Sequence, residues 1–306
     1  MRAYDFQLIQ KIQNGSTTIN QNGIKTICRP IPDDQRAHVL DPRIVEMALK
    51  KNQLHKKSNT GFSLSGMRHR PDVVSHDLTQ SHITQQERLI DLKDRMINVH
   101  VFVPEKLTTD TLIIFYHGGG FAAGDLAMYL NPVKYLCEQS GAIILFPEYR
   151  LAPECPFPAG VNDAYDILVW AYDHANDYGC DKNKMVIVGD SAGGALCHAC
   201  MIKDDRKRIR LCVSIYPVCE LNMIEHGIYP WSYQMYPVIK DHQEVAYDRI
   251  DRIKNSQIIN ELYVRDPNDL KNPLVSSLYH DDFEHFPKTM MIASEYDFLK
   301  AGSDYF

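Results

Sequence analysis

Five short apolar runs dominate the chain from residue 111 onward: TLIIFY at 111–116, AIILF at 142–146, KMVIVG at 184–189, RLCVSIY at 210–216 and TMMIAS at 289–294. Each is too short for a buried helix, rich in β-branched residues, and separated from the next by segments long enough to hold helices. A strand with one wet face alternates apolar and polar residues; a strand covered on both faces reads as a continuous apolar run. The pattern therefore predicts an α/β fold, a mostly parallel sheet with helices on both faces. Helices are expected at about 127–139, 160–178 and 191–203. Ahead of the runs, ERLIDL and MINVHVFVP flank a Lys93-Asp94 turn, and the second of these alternates as a half-buried strand does, so the pair reads as an edge hairpin.

Residues 1–85 are polar and irregular, with one helix expected from Asp41 to about Leu54, where Asp41 precedes Pro42 at the first helical position. They read as an N-terminal cap region on a core at 86–306, and the aromatic, charged stretch at about 218–275 reads as a cap insertion. The 306 residues suffice for one large domain. With 33 basic against 39 acidic side chains, the net charge of −6 provides no positive field to collect nucleic acid or an anionic membrane. No opening apolar stretch is long enough for a signal peptide, and the longest apolar runs are far too short to span a bilayer, which predicts a soluble cytoplasmic protein. The eight cysteines are scattered and read as reduced thiols. Cys197 and Cys200 share one face of an expected helix, which suits buried small side chains better than a metal site.

Chemistry enters at Gly189-Asp190-Ser191-Ala192-Gly193, a G-x-S-x-G set directly after one apolar run and before a helical segment. A nucleophile on so sharp a strand-to-helix turn needs small neighbours, and Ser191 would lie at the positive end of the helix. His117-Gly118-Gly119-Gly120 follows the run at 111–116. That is the place for a loop whose backbone N–H groups, with that of Ala192, form an oxyanion hole.

These motifs occur in order with Tyr149-Arg150-Leu151-Ala152-Pro153-Glu154, Pro156-Phe157-Pro158-Ala159, Asn162-Asp163-Ala164-Tyr165 and the GDSAGG at 189–194. Over residues 87–302 the chain resembles the hormone-sensitive-lipase family, also called bacterial family IV esterases or fold-3 α/β-hydrolases. The resemblance implies a serine carboxylic-ester hydrolase acting on small or short-acyl esters through an acyl-enzyme, with no cofactor and no metal. It makes the stretch 149–154 a structural turn shaping the floor of the site. It also places the catalytic acid at Asp297, in Ser294-Glu295-Tyr296-Asp297, where it would orient a histidine and stabilise the imidazolium. An Asp that only caps the following turn is the alternative, and Glu295 is close enough to compete for the register.

The family's histidine follows its acid by some tens of residues, whereas these residues end nine positions after Asp297 with no histidine among them. The expectation is a core cut before its last strand, an open sheet edge able to pair with another chain, and near-inactivity on esters. A homodimer is left open for a complete protein. His198 lies two turns along the nucleophile's helix, about 10 Å up its axis and beyond hydrogen-bond reach. His117 is expected to fix the oxyanion loop, and His280 and His285 to sit at the opposite end of the sheet. Two other functions fit the motifs: a ligand-binding protein of the gibberellin-receptor kind, which resembles this family yet lacks the histidine, and an amide or formamide hydrolase.

Overall fold

The computed structural model describes residues 5–21, 23–55, 63–69, 75–221, 227–255 and 257–306. Parts of the two expected cap regions, 56–62, 70–74, 222–226 and 256, lie outside them. Two compact units are present: Met1–Gly61 with Tyr233–Ile250, and Phe62–Ser232 with Asp251–Phe306.

The smaller unit begins with α1 (Phe6–Asn14), started by the Asp5 carboxylate accepting from Gln7 N–H. A hairpin of β1 (Thr17–Gln21) and β2 (Ile24–Cys28) follows, turning through Gly23 at φ 84°. The expected helix is α2 (Pro42–His55). Within this unit Leu40 N–H donates to His242 Nδ1 at 2.9 Å and Ile239 N–H to the His38 carbonyl at 2.9 Å, joining chain segments 200 residues apart in sequence. The hairpin was not expected, because Thr17–Asn20 and all of β2 but the half-buried Thr26 are exposed, leaving no core-facing alternation.

The larger unit opens with α3 (Leu64–Arg68) and then builds a seven-stranded sheet. The expected edge hairpin is β3 (Ile83–Asp91) with β4 (Met96–Pro104), antiparallel, with Lys93 at φ 77° in the turn. Next come β5 (Leu112–Tyr116), α4 (Leu126–Ser140), β6 (Ile143–Pro147), α5 (Ala159–His174), β7 (Met185–Asp190), α6 (Ala192–Lys203) and β8 (Ile209–Ile215). The stretch read as an insertion supplies α7 (Gln243–Lys254), most of which belongs to the smaller unit, and α8 (Gln257–Tyr263). The chain then returns through β9 (Lys288–Ile292) and α9 (Lys300–Tyr305). Strand order is β3-β4-β6-β5-β7-β8-β9, parallel from β6 to β9.

The five apolar runs are therefore β5 to β9, and β5 and β6 are buried at every position. Along β5 the pleat sends Leu112, Ile114 and Tyr116 into one core with Val161, Ala164 and Ile167 of α5 and Leu196 of α6. Ile113 and Phe115 enter a second core with Val133 and Cys137 of α4. Two cores on opposite faces are the physical reason these strands do not alternate. Helix α5 stops four residues short of expectation, its tail tightening into a 3-10 turn at Ala175–Tyr178 before Gly179 at φ 69°. β9 is the sheet's last strand among the described residues and leaves Met290 49% and Ile292 38% exposed.

The turn after β6 is anchored by a buried carboxylate. Asp163, with no exposed side-chain surface, accepts from Arg95 Nε at 2.6 Å and from the Arg150 guanidinium at 2.7 Å, and takes the Arg150 N–H at 2.9 Å. Removing the carboxylate takes the shared partner from Arg150 and leaves Arg95, whose side chain is 15% exposed, with Asp94 and Asp166 alone. Asp163→Ala is expected to cost about 3 kcal/mol, seen as a lowered midpoint in urea with an unchanged m-value.

Candidate active site

Ser191 joins β7 to α6 at φ 53° and ψ −117°, a conformation costly for a side-chain-bearing residue. Its backbone is held on both sides: the N–H donates to Ile215 O at the end of β8 at 2.9 Å, and the carbonyl accepts from Val218 N–H at 3.1 Å. The side chain makes no capping bond to α6, and the hydroxyl at the helix start has no hydrogen-bond partner among the described residues. The sharpness of the turn depends on the flanking glycines. A Cβ on Gly193 would lie 1.9 Å from Tyr116 O, and one on Gly189 would lie 2.3 Å from Gly193 O. Helix α6 thus starts pressed against the end of β5.

The loop after β5 is fixed by aromatic and polar contacts. His117 is fully buried, stacks on Tyr149 with ring centroids 4.3 Å apart, and places Nδ1 2.8 Å from Gly118 O. Burial pulls its pKa down to about 4, and its Nε2 has no partner among the described residues, so it is a neutral structural ring. Tyr149 donates its hydroxyl to His117 O at 2.7 Å, Ala152 N–H donates to Phe121 O, and Arg68 of α3 donates to Ala122 O and Ala152 O while pairing with Glu154. The turn at 149–154 therefore does floor this loop. Sequence reading missed Arg68, for which no local signal exists.

Of the four expected oxyanion donors, Gly119, Gly120 and Ala192 have N–H groups with no hydrogen-bond acceptor among the described residues. Gly118 is different. Its N–H donates to Asp190 Oδ1 at 2.9 Å and lies 3.0 Å from the Tyr129 hydroxyl, so the expectation that it faces an oxyanion is corrected. The motif supplies three adjacent glycines, and only the packed fold reveals that the first is already bonded.

Asp297 lies beyond β9 on the same end of the sheet as Ser191. β7, β8 and β9 are parallel neighbours, and Tyr216 N–H bonds Ile292 O as Ser191 N–H bonds Ile215 O. One carboxylate oxygen of Asp297 accepts from Leu299 N–H at 3.0 Å, so the capping role is real, and the second oxygen has no bond among the described residues. Glu295 is exposed.

No described histidine is bonded to Ser191. His198 is fully buried and used at both nitrogens, Nδ1 to Ser277 Oγ at 2.9 Å and Nε2 to Ser214 Oγ at 3.0 Å, while its ring stacks on Phe306. Burial lowers its pKa to about 3. His285 pairs with Asp282 and His280 stacks on Phe286, both ahead of β9 and thus at the sheet's other end. His226 lies outside the described residues. Cys197 and Cys200 are fully buried; burial pushes the Cys200 thiol up to about 12 and raises that of Cys197 as well, so they pack as apolar groups. Among the described residues no group of three His, Cys, Asp or Glu side chains could hold a metal ion, and no helix is long and apolar enough to cross a membrane.

A family model described as the alpha/beta hydrolase fold matches residues 113–305. The chain belongs to the hormone-sensitive-lipase-like, fold-3 family of α/β-hydrolases. Among the relatives of this chain, an arylesterase of Saccharolobus solfataricus is 29% identical over 213 residues, which is 69% of this chain and 65% of that protein. The chain thus spans just under two thirds of that relative's length. The carboxylic ester hydrolase LipN of Mycobacterium tuberculosis is 42% identical over 99 residues, 32% of this chain and 26% of its own. A solved structure of a hyperthermophilic esterase from the archaeon Pyrobaculum calidifontis superposes with a TM-score of 0.69 at 26% identity, covering 87% of this chain and 84% of that one.

Two measurements probe this geometry. Gly193→Ala sets a methyl against a backbone oxygen that cannot move aside, and is expected to cost more than about 3 kcal/mol of stability by thermal unfolding. The two buried neutral histidines make stability pH-dependent. Their folded pKa values lie below the unfolded value of about 6.5, so the unfolded chain binds the extra protons as pH falls below 6.5. Stability is complete above that pH and declines toward pH 4 for His117 and pH 3 for His198. His198→Gln is expected to remove one proton's worth of that slope, ~1.4 kcal/mol per pH unit, from the urea midpoint followed between pH 6.5 and 4.

Proposed function

We propose that this α/β-hydrolase carries the nucleophile and oxyanion half of a serine carboxylic-ester hydrolase acting on small or short-acyl esters. The carrying observation is Ser191, held at positive φ between β7 and α6, whose hydroxyl, like the N–H groups of Gly119, Gly120 and Ala192, has no partner among the described residues, while Gly118 is bonded to the neighbouring Asp190. In this reading Oγ of Ser191 adds to the ester carbonyl, and its proton goes to a base and then to the departing alcohol. The three amides stabilise the negative oxygen, and water releases the acid from the acyl-enzyme. Asp297, with one oxygen unbonded, is the carboxylate that would orient an imidazole. The ester class comes from the relatives' names; the short-acyl preference comes from the family resemblance. A reducing cytoplasm suits its free thiols, most of them buried.

A base is the missing part of this scheme among the described side chains. Loss of the triad histidine lowers turnover by about 10⁶ where it has been removed from a comparable serine hydrolase. The 306-residue chain is therefore expected to cleave a short-chain chromogenic acyl ester slowly, and to be accelerated by added imidazole only when Ser191 is present. Ser191→Ala should show no imidazole-dependent cleavage above the buffer rate. Ordinary enzyme rates without imidazole would mean that one of the chain's own histidines serves. Tight binding of an ester with no Ser191-dependent cleavage would favour the ligand-binding reading, and a faster paired amide substrate the amidase reading.

A further inference from the structure

The carboxylate next to the nucleophile takes no part in the chemistry above, yet it is buried where an unpaired carboxylate is expensive. Asp190 Oδ1 accepts the Gly118 N–H at 2.9 Å, and Oδ2 accepts the Tyr129 hydroxyl at 2.9 Å. The same hydroxyl lies 3.0 Å from Gly118 N, which closes a three-membered ring of polar contacts. Tyr129 projects from α4 and is itself held among Phe115, His117 and Phe146, with ring centroids 5.7 to 6.0 Å away. The approach of loop to carboxylate is so close that a Cβ on Gly118 would lie 2.6 Å from Asp190 Oδ2. Burial raises the pKa of Asp190, and the Tyr129 hydroxyl and Gly118 N–H both oppose that rise, so these donors help keep it an acceptor.

We infer that Asp190 and Tyr129 are positioning residues: together they tether Gly118 to the strand end that carries Ser191, and so set where the Gly119 and Gly120 amides stand relative to the nucleophile. The inference rests on the proposed hydrolase reading and deepens it. Its physical basis is that an oxyanion donor acts only when already aimed, and small displacements at a reacting centre cost rate steeply. Asp190 is the neighbour of Ser191 in the chain, so any motion of the loop away from it is a motion away from the nucleophile. Tyr129 adds a third element, α4, to that link.

Two readouts on the 306-residue chain test this. The first is amide exchange at Gly118 by NMR, which needs no turnover. Tyr129→Phe removes one hydroxyl from an otherwise intact ring and is expected to speed exchange at Gly118 by about tenfold while leaving Val188 in β7 unchanged. Asp190→Asn keeps an oxygen for the Gly118 amide and is expected to stay within about threefold of the parent. The second readout is covalent labelling by an alkyl fluorophosphonate, in which Ser191 Oγ forms the new P–O bond, fluoride leaves and the hydroxyl proton passes to buffer. Tyr129→Phe is expected to label about tenfold more slowly. Gly118 exchange equal to the parent's overturns the tether. Faster exchange with an unchanged labelling rate overturns the positioning role. If the parent chain is not labelled at Ser191 even with imidazole added as a base, the nucleophile reading falls, and Gly118 exchange alone decides whether the tether exists.

Discussion

Everything at the site depends on how closely helix α6 approaches strand β5. The first turn of α6 lies against the carbonyl of Tyr116, with Gly193 at a distance no side chain could tolerate. That contact fixes the angle at which the helix leaves the sheet. It forces Ser191 to positive φ, lifts its hydroxyl out of the helix, and brings the residue before it against the loop that follows β5. Loosening any one of these would relax the others, because they share a few residues of backbone. The strain is held by bonds to neighbouring segments: Ser191 is hydrogen-bonded fore and aft to Ile215 at the end of β8 and to Val218, three residues beyond it.

Around that contact the buried polar groups are arranged so that few are wasted. Tyr149 bonds the His117 carbonyl, Tyr116 donates to the Ala164 carbonyl of α5, and His198 ties α6 to Ser214 of β8 and to Ser277. Each joins a strand end or helix to a segment distant in sequence, and each would leave a buried donor or acceptor unmet if its partner were lost. Hydrophobic burial on the two faces holds the sheet together, while these directional bonds select one arrangement of its upper loops.

The sheet was legible because its central strands β5 and β6 are covered on both sides, a condition that writes itself into sequence as unbroken apolar runs. Ser191 and the loop at 117–120 were legible because a tight strand-to-helix turn and a close backbone approach both demand glycine at set offsets. What the residues could not reveal depended on distant partners. In the β1–β2 hairpin only Thr26 of β2 is even half-buried, which leaves no alternation for a sequence pattern to show. Arg68 reaches the 149–154 turn from a five-residue helix with no motif of its own. Gly118 looked equivalent to Gly119 and Gly120 until Asp190 and Tyr129 were seen to claim its amide.

The same distinction bears on the histidines. A candidate base is excluded by what its ring already does, which spacing along a helix addresses only in part. His198 was set aside on distance up the α6 axis, and the stronger reason is that both of its nitrogens are bonded to serines in a site that disfavours its protonated form. His117 stands beside the oxyanion loop and is still unfit, since one nitrogen faces a carbonyl, the other is sealed from any donor or acceptor, and burial holds the ring neutral to about pH 4. A general base must accept a proton in the transition state and keep it long enough to return it to the leaving group. Rings whose cationic form is penalised by burial, with no carboxylate bonded to offset that penalty among the described residues, are built for packing rather than for carrying a proton.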